Sequence, residues 1–463
     1  MERLSTFDAG FLDAEDADRH ISLAVGAVSI LEGPMPDYRE VESAIGERVL
    51  RVPRLRQVVH RHPLDLTAPE WADDPAIDLA HHIHRAALPH PGDDAAVFRF
   101  VAEAMEARLD RDRPLWQCWI IEGLAENRWA VLMKVHHCIA DGIATMHLLA
   151  GLADGGEGHT YVDRIQGAHP TSRTGGESHT ASLWNPLRWI NTAWGTASAV
   201  TKTVAVTAEG ALEIVDGLVR AGTGSPLVGP VSTLRRYSAV EVPLADVAAI
   251  GDAFGVTVND VALAAITDSF RAALLRRGQQ PRRDSLRTLV PVSVRTGDAM
   301  DSVDNRVSVM LPYLPVDQSD RVEQLRAVHR RLTKVKSGGQ REAGRVAVSA
   351  LKLAPFAFTS WLVRAVTSLP QRGVVTLATN VPGPRERLQI LGHDVVRLLP
   401  IPPMALRLRS AVAILSYDDR LAFGITTDFD AVPDVAELTF GVRKAVAALL
   451  AAARRSRQAP TPL

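Results

Sequence analysis

The residues best suited to chemistry in this 463-residue chain are His136-His137-Cys138-Ile139-Ala140-Asp141-Gly142, which close the apolar run WAVLMKV. Imidazole titrates near pH 6.5, so it can take a proton at neutral pH and return it within one turnover. Neighbouring residues at a strand end point to opposite faces. One histidine can therefore enter a cavity while the other braces the backbone. Asp141 needs a cationic or donor partner if buried, and it can equally cap a helix starting near Ile143. Gly142 lets the chain turn sharply before that helix. Adjacent histidines chelate one ion poorly, and no Cys/His set at ligand spacing accompanies them, so no metal is expected. A solvent-exposed strand end is the plain alternative. A second pair, His81-His82, lacks a following Asp-Gly and reads as structural.

Other chemistries find no support. There is no G-x-S-x-G elbow for an acyl-serine mechanism, and neither G-x-G-x-x-G nor a P-loop for dinucleotide or ATP chemistry. Cys138 adjoins His137, but strand neighbours diverge, so it reads as a small apolar filler. With 52 Lys and Arg against 53 Asp and Glu, the net charge of −1 argues against a general nucleic-acid binder. Hydrophobic residues at 46% and charged residues at 23% exclude a largely disordered chain. Two cysteines, Cys118 and Cys138, make no disulfide framework and fit a reducing compartment. The acidic first twenty residues do not read as a secretory signal. No stretch approaches the ~18 apolar residues of a membrane span.

The elements that must hold the motif are legible in outline. His20–Gly33 reads as a strand, and Asp37 as the cap of a helix to about Leu50. Arg54–Arg61 alternates as a strand, and Val97–Leu109 has helical spacing. The runs LWQCWIIEGL and RWAVLMKVHHCIA, separated by a polar turn, read as paired strands, and Ile143–Ala153 as a helix. Residues 155–180 shift to Gly, Ser, Thr, His and Asp, the composition of a linker. A second pattern begins near Leu234, with a periodic helix in TVNDVALAAITDSFRAALLRRG. Strand-like runs follow in SLRTLVPVSVR, NRVSVMLPYLPV, GVVTLATNVPG, RSAVAILSYDD and RLAFGITTDFD, before a C-terminal helix. This divides the chain into residues 1–154, a connecting 155–230 and residues 231–463, two α/β halves.

Ser182–Gly222 carries Trp184, Trp189 and Trp194 and then an amphipathic stripe. It is too polar to span a bilayer and suits either a lipid interface or packing on the protein itself. Between Arg364 and Arg409 seven arginines face only Glu386 and Asp394. That run suits CoA phosphates or an anionic surface, or a solvated face paired with acids elsewhere.

On these residues the sequence resembles a known family. HHCIADG matches the HHxxxDG motif of CoA-dependent acyltransferases of the chloramphenicol acetyltransferase-like fold and of peptide-synthetase condensation domains. Pro114-Leu115-Trp116 matches the PLW block, and Asn259-Asp260 the ND block, of bacterial wax ester synthase/diacylglycerol acyltransferases. LSTFDAGFLDAED, DNRVSVMLPYLPV and ATNVPGP are similar to further family blocks. Asp304-Asn305 stands where many members carry Gly-Asn. The likeness runs over nearly the whole chain outside the linker and is greatest to the actinobacterial triacylglycerol synthase branch.

The resemblance implies an α/β, two-domain, chloramphenicol acetyltransferase-like fold with the active site at the domain interface. It implies His137 as general base, His136 and Asp141 holding the loop, and Arg295 as the partner of Asp141. Gly142, Asn259, Asp260, Pro114, Leu115 and Trp116 would line the substrate site. Asn259 and Asp260 can equally cap their helix, and Trp116 suits the core. No cofactor is implied, fatty acyl-CoA being a substrate. Diacylglycerol is the expected acceptor. The expected setting is cytoplasmic, peripheral to the inner membrane or lipid droplets. The alternatives are wax ester synthesis on a fatty alcohol, or an inactive lipid-binding or droplet protein.

Overall fold

The computed structural model describes residues 2–62, 67–139, 151–154, 227–293, 307–337, 374–404 and 408–458. Strand β1 (Glu2–Arg3) leads into helix α1 (Thr6–Ala17), where the Ser5 hydroxyl accepts from the Asp8 N–H as an N-cap. Strand β2 (Ala24–Leu31) and helix α2 (Tyr38–Leu50), capped by Asp37, fall where the pattern predicts them. The strand expected from Arg54 begins later. Pro53 opens a 3-10 turn through Arg56, so strand β3 is confined to Gln57–His60. Strand β4 (Glu70–Asp73) joins β1 and β3 in a small sheet.

Strand β5 (Ile83–Ala87), helix α3 (Asp94–Glu106), strand β6 (Trp116–Leu124) and strand β7 (Arg128–His136) follow. The β6–β7 hairpin turns through Glu126 and Asn127 at φ 61° and 53°, the left-handed pair that a tight hairpin needs. Lys134 of β7 is fully buried. Its Nζ donates to the carbonyls of Ala104 and Ala107 at the negative end of α3, while burial holds the ammonium down to about 8.

The second half holds strand β8 (Arg235–Pro243), helix α4 (Leu244–Phe254), helix α5 (Val258–Arg276), strands β9 (Thr288–Ser293) and β10 (Val307–Met310), and helix α6 (Arg321–Ser337). Strands β11 (Thr376–Val381), β12 (Gln389–Ile390), β13 (His393–Ile401), β14 (Ser410–Tyr417) and β15 (Arg420–Asp428) lead to helix α7 (Val435–Gln458). No single described helix is long and apolar enough to cross a membrane. The consecutive pair α4 and α5 is bent by 101° and supplies much of the second core.

Two six-stranded sheets result. One runs β12-β13-β2-β7-β6-β5 and the other β10-β9-β11-β14-β15-β8. Residues 389–401 therefore leave the C-terminal half for the N-terminal sheet, where Val395–Ile401 of β13 pair antiparallel with β2 and β12 pairs with β13 at the edge. In return, α3 packs on β8 of the C-terminal sheet. Arg397 of β13 ties the exchange, pairing with Asp94 at 2.7 Å and Glu241 at 2.6 Å. The sheets also meet backbone to side chain, with the Tyr237 hydroxyl donating to the Pro400 carbonyl at 3.0 Å.

Candidate active site

The two motif histidines sit at the seam this exchange creates. Ala24 of β2 lies opposite His136, and Gly26 faces both Lys134 on β7 and Ile401 on β13. Just beyond, Ser22 bridges Met404. The crossing strand thus leaves the N-terminal sheet at the level of the histidines and continues to β14 of the other sheet.

Every backbone N–H from residue 136 to 139 has an identified partner. That of His136 donates to the Leu115 carbonyl at 2.9 Å, and that of His137 to the Leu23 carbonyl at 3.0 Å. The Cys138 N–H donates to His136 Nδ1 at 3.1 Å, and the Ile139 N–H to the His136 carbonyl at 2.9 Å. The turn is pinned by two bonds to neighbouring segments and two of its own, the fixed geometry that a general base would need.

His136 is the bracing residue. It is 1% exposed, and its Nδ1 lone pair is taken by the Cys138 N–H, so its ring proton resides on Nε2. Nε2 faces the Glu15 Oε2 at 3.5 Å, an electrostatic contact rather than a short hydrogen bond. With Nδ1 occupied and Nε2–H toward a carboxylate, His136 has no free lone pair to offer an ion. Burial holds its imidazole below the ordinary range, with Glu15 pulling the other way. Burial alone would raise the Glu15 carboxyl. His136, Arg111 and the Leu23 N–H outweigh it and bring the group down to about 2.

His137 is half-buried, and its ring lies against Phe11, centroids 4.4 Å apart and planes tilted 36°. Phe11 and Glu15 are one turn apart on α1, so a single helix face meets both histidines. Cys138 is 4% exposed, and burial pushes its thiol well above the usual range, consistent with an apolar filler.

The PLW block is buried beneath the histidine turn. Leu115 and Trp116 are fully buried, Leu115 supplies the carbonyl that holds His136, and the Trp116 indole donates to the Leu55 carbonyl at 2.8 Å. His82 stacks on Trp116 at 4.5 Å and hydrogen-bonds its carbonyl through Nδ1 at 2.8 Å, a structural post. Pro114 is buried beside them.

Asn259 and Asp260 open α5. Asp260 completes a capping box with Thr257, and its Oδ2 also lies 2.8 Å from His329 Nδ1 of α6. Asn259 Oδ1 accepts from Asn380 Nδ2 at 3.2 Å, which joins the TVND and ATNVPGP blocks directly. Asp141, Gly142 and Arg295 lie outside the described residues, as do most of the helix expected from Ile143 and the segment Ser182–Gly222. Just past the helix expected from Ile143, Asp154 pairs with Arg48 and accepts from the N–H groups of Leu391 and Gly392.

Of the run of arginines, Arg364, Arg372 and Arg407 lie outside the described residues, and three of the described ones are engaged. Arg387 pairs with Asp418 at 2.7 Å, Arg397 serves the crossover, and Arg409 Nε donates to the Pro230 carbonyl at 3.1 Å. Charge counted along the chain misses acids brought in from other elements.

Composition and spacing alone missed Glu15, Arg111 and Phe11. A signal existed in LSTFDAGFLDAED, where Asp8 and Glu15 share a helical stripe with Leu12. Acids on a buried stripe require a partner.

Two sheets exchanging an element, with a histidine turn at their seam, define the CoA-dependent acyltransferase fold of the chloramphenicol acetyltransferase type. The wax ester synthase/diacylglycerol acyltransferase catalytic domain matches residues 4–262, and the WS/DGAT C-terminal domain residues 303–449. A Mycobacterium tuberculosis protein named probable diacylglycerol O-acyltransferase is 49% identical over 459 residues, covering 99% of this chain and 97% of its own. Among solved structures, the wax ester synthase/diacylglycerol acyltransferase from Marinobacter aquaeolei superposes with a TM-score of 0.68 at 22% identity, covering 98% of this chain and 100% of that one. The first condensation domain of the calcium-dependent antibiotic synthetase gives 0.61 at 15% identity, covering 98% and 96%. The chain belongs to the wax ester synthase/diacylglycerol acyltransferase family.

Proposed function

We propose that the chain is a diacylglycerol O-acyltransferase, moving a fatty acyl group from CoA to the free hydroxyl of diacylglycerol, with His137 as general base. The carrying observation is a half-buried imidazole at the seam of the two halves, on a turn whose neighbouring N–H groups are all committed. The name of the mycobacterial relative supports the choice of acceptor.

The His137 imidazole takes the hydroxyl proton as the oxygen attacks the thioester carbonyl. The new C–O bond forms, the C–S bond breaks, and the imidazolium returns its proton to the CoA thiolate. The base is regenerated and no covalent enzyme intermediate is formed. Holding both substrates together supplies most of the rate, and proton transfer adds about 10²–10⁴-fold. Asp141, with Arg295 as its partner, would hold the far side of the loop, and Asn259 would face the site from the second half. Both substrates carry long apolar chains, so work at a membrane or droplet surface is the expected setting.

The test is purified protein with radiolabelled palmitoyl-CoA and either diolein or hexadecanol. Labelled triacylglycerol as the main product is the expected result. Wax ester in its place would reassign the acceptor, and no product from either would leave a lipid-binding protein.

A further inference from the structure

Resting on His137 as the base, we propose that Glu15 is a positioning residue whose two carboxylate oxygens hold the backbone N–H groups of residues 137 and 138 through separate arms. Along the first arm, Oε1 accepts from the Leu23 N–H at 2.9 Å, and the Leu23 carbonyl accepts from the His137 N–H at 3.0 Å. Along the second, Oε2 faces His136 Nε2 at 3.5 Å, and His136 Nδ1 accepts from the Cys138 N–H at 3.1 Å.

Glu15 and His136 are each 1% exposed, Leu23 2% and Cys138 4%, so water cannot substitute in either arm. Arg111 closes the outer side at 2.5 Å from Oε2 and supplies the countercharge. Arg108 ties the same helix end, its Nε donating to the Ile21 carbonyl at 3.0 Å and its guanidinium also reaching the carbonyls of Glu15 and Asp18. The helix that carries Glu15 is therefore fixed relative to β2, and Phe11 one turn earlier presses on the His137 ring.

The arms respond differently to substitution. A carboxylate beside Nε2 keeps the His136 proton there and leaves Nδ1 as an acceptor. In Glu15→Gln the amide oxygen can still accept from Leu23, but its NH2 favours the opposite tautomer. The Nδ1–H would then oppose the Cys138 N–H, two donors face to face. In His136→Asn the side-chain oxygen can stand where Nδ1 stands and keep the Cys138 bond without any tautomer to set.

In histidine-labelled protein, 15N spectra read the His136 ring, identified by the signals lost in His136→Asn. The wild type is expected to carry its proton on Nε2, and Glu15→Gln to move it to Nδ1. In acyl transfer to diolein, Glu15→Gln is expected to lower kcat by about 10–100-fold, with KM for palmitoyl-CoA changed less than about twofold. His136→Asn should retain more activity than His136→Ala, and adding Glu15→Gln to His136→Asn should cost little more.

A wild-type proton on Nδ1, a Glu15→Gln kcat within twofold of wild type, or full multiplication of the two losses would overturn the proposal. If Glu15→Gln does not fold, the wild-type tautomer and the Asn–Ala comparison decide. A wild-type chain inactive on both diolein and hexadecanol would fail the functional reading itself, whatever the tautomer.

Discussion

Glu15 is ionised in a place where water cannot reach it, and that fact has a measurable consequence. Its carboxyl falls from 4.5 to about 2 on folding, so the ionised form stabilises the fold. Each tenfold change in proton affinity is worth about 1.4 kcal/mol, so the contribution is of the order of 3 kcal/mol above pH 4.5. It is lost as pH falls through the interval between 4.5 and about 2. Urea unfolding of wild type and Glu15→Gln should therefore show a gap at pH 7 that narrows by more than half at pH 3. A gap independent of pH would mean the charge is not what Glu15 contributes. At this scale the sequence is uneven as a guide. His136 and His137 stand out because their motif is contiguous and their chemistry is intrinsic. Glu15 does not, because its value depends on Arg111 and His136, which are remote in the chain and meet it only when α1 crosses the end of β7.

Most elements follow from local rules. Asp37, Asp93 and Thr257 accept from N–H groups at the starts of α2, α3 and α5, and the β6–β7 hairpin follows from alternation around a polar turn. Strands β12 and β13 were not legible as part of the N-terminal sheet, because strand pairing across some 370 residues leaves no local mark. One glycine records that pairing. A Cβ added to Gly424 of β15 would lie 1.7 Å from the Pro400 carbonyl oxygen of β13, so the sheets touch where only hydrogen fits. Gly424→Ala should lower stability by roughly 3 kcal/mol, the upper end of the overpacking range, because the obstacle is backbone and cannot rotate away. A thermal midpoint within about a degree of wild type would show that the sheets cross less tightly than this.

Taken as a whole, the molecule is two cores fastened by exchanged parts. Strand β13 goes one way, α3 packs the other way, and Arg235 of β8 donates to the His20 carbonyl at 2.6 Å across the seam. The histidine turn lies beside the strand that crosses between the sheets, so the architecture that joins the halves also holds the proposed base in place. The exchange was not legible from composition and periodicity, and in the proposed reaction it is the exchange that makes the seam a site. In the proposed reaction, function at that seam rests on His137 as the group that takes the acceptor's proton. Acyl transfer from palmitoyl-CoA to diolein by His137→Ala, with folding checked by thermal unfolding, reads that role without intermediaries. A folded protein whose turnover falls by at least about 10²-fold is expected. Wild-type turnover from a folded His137→Ala protein would remove His137 from the role of base.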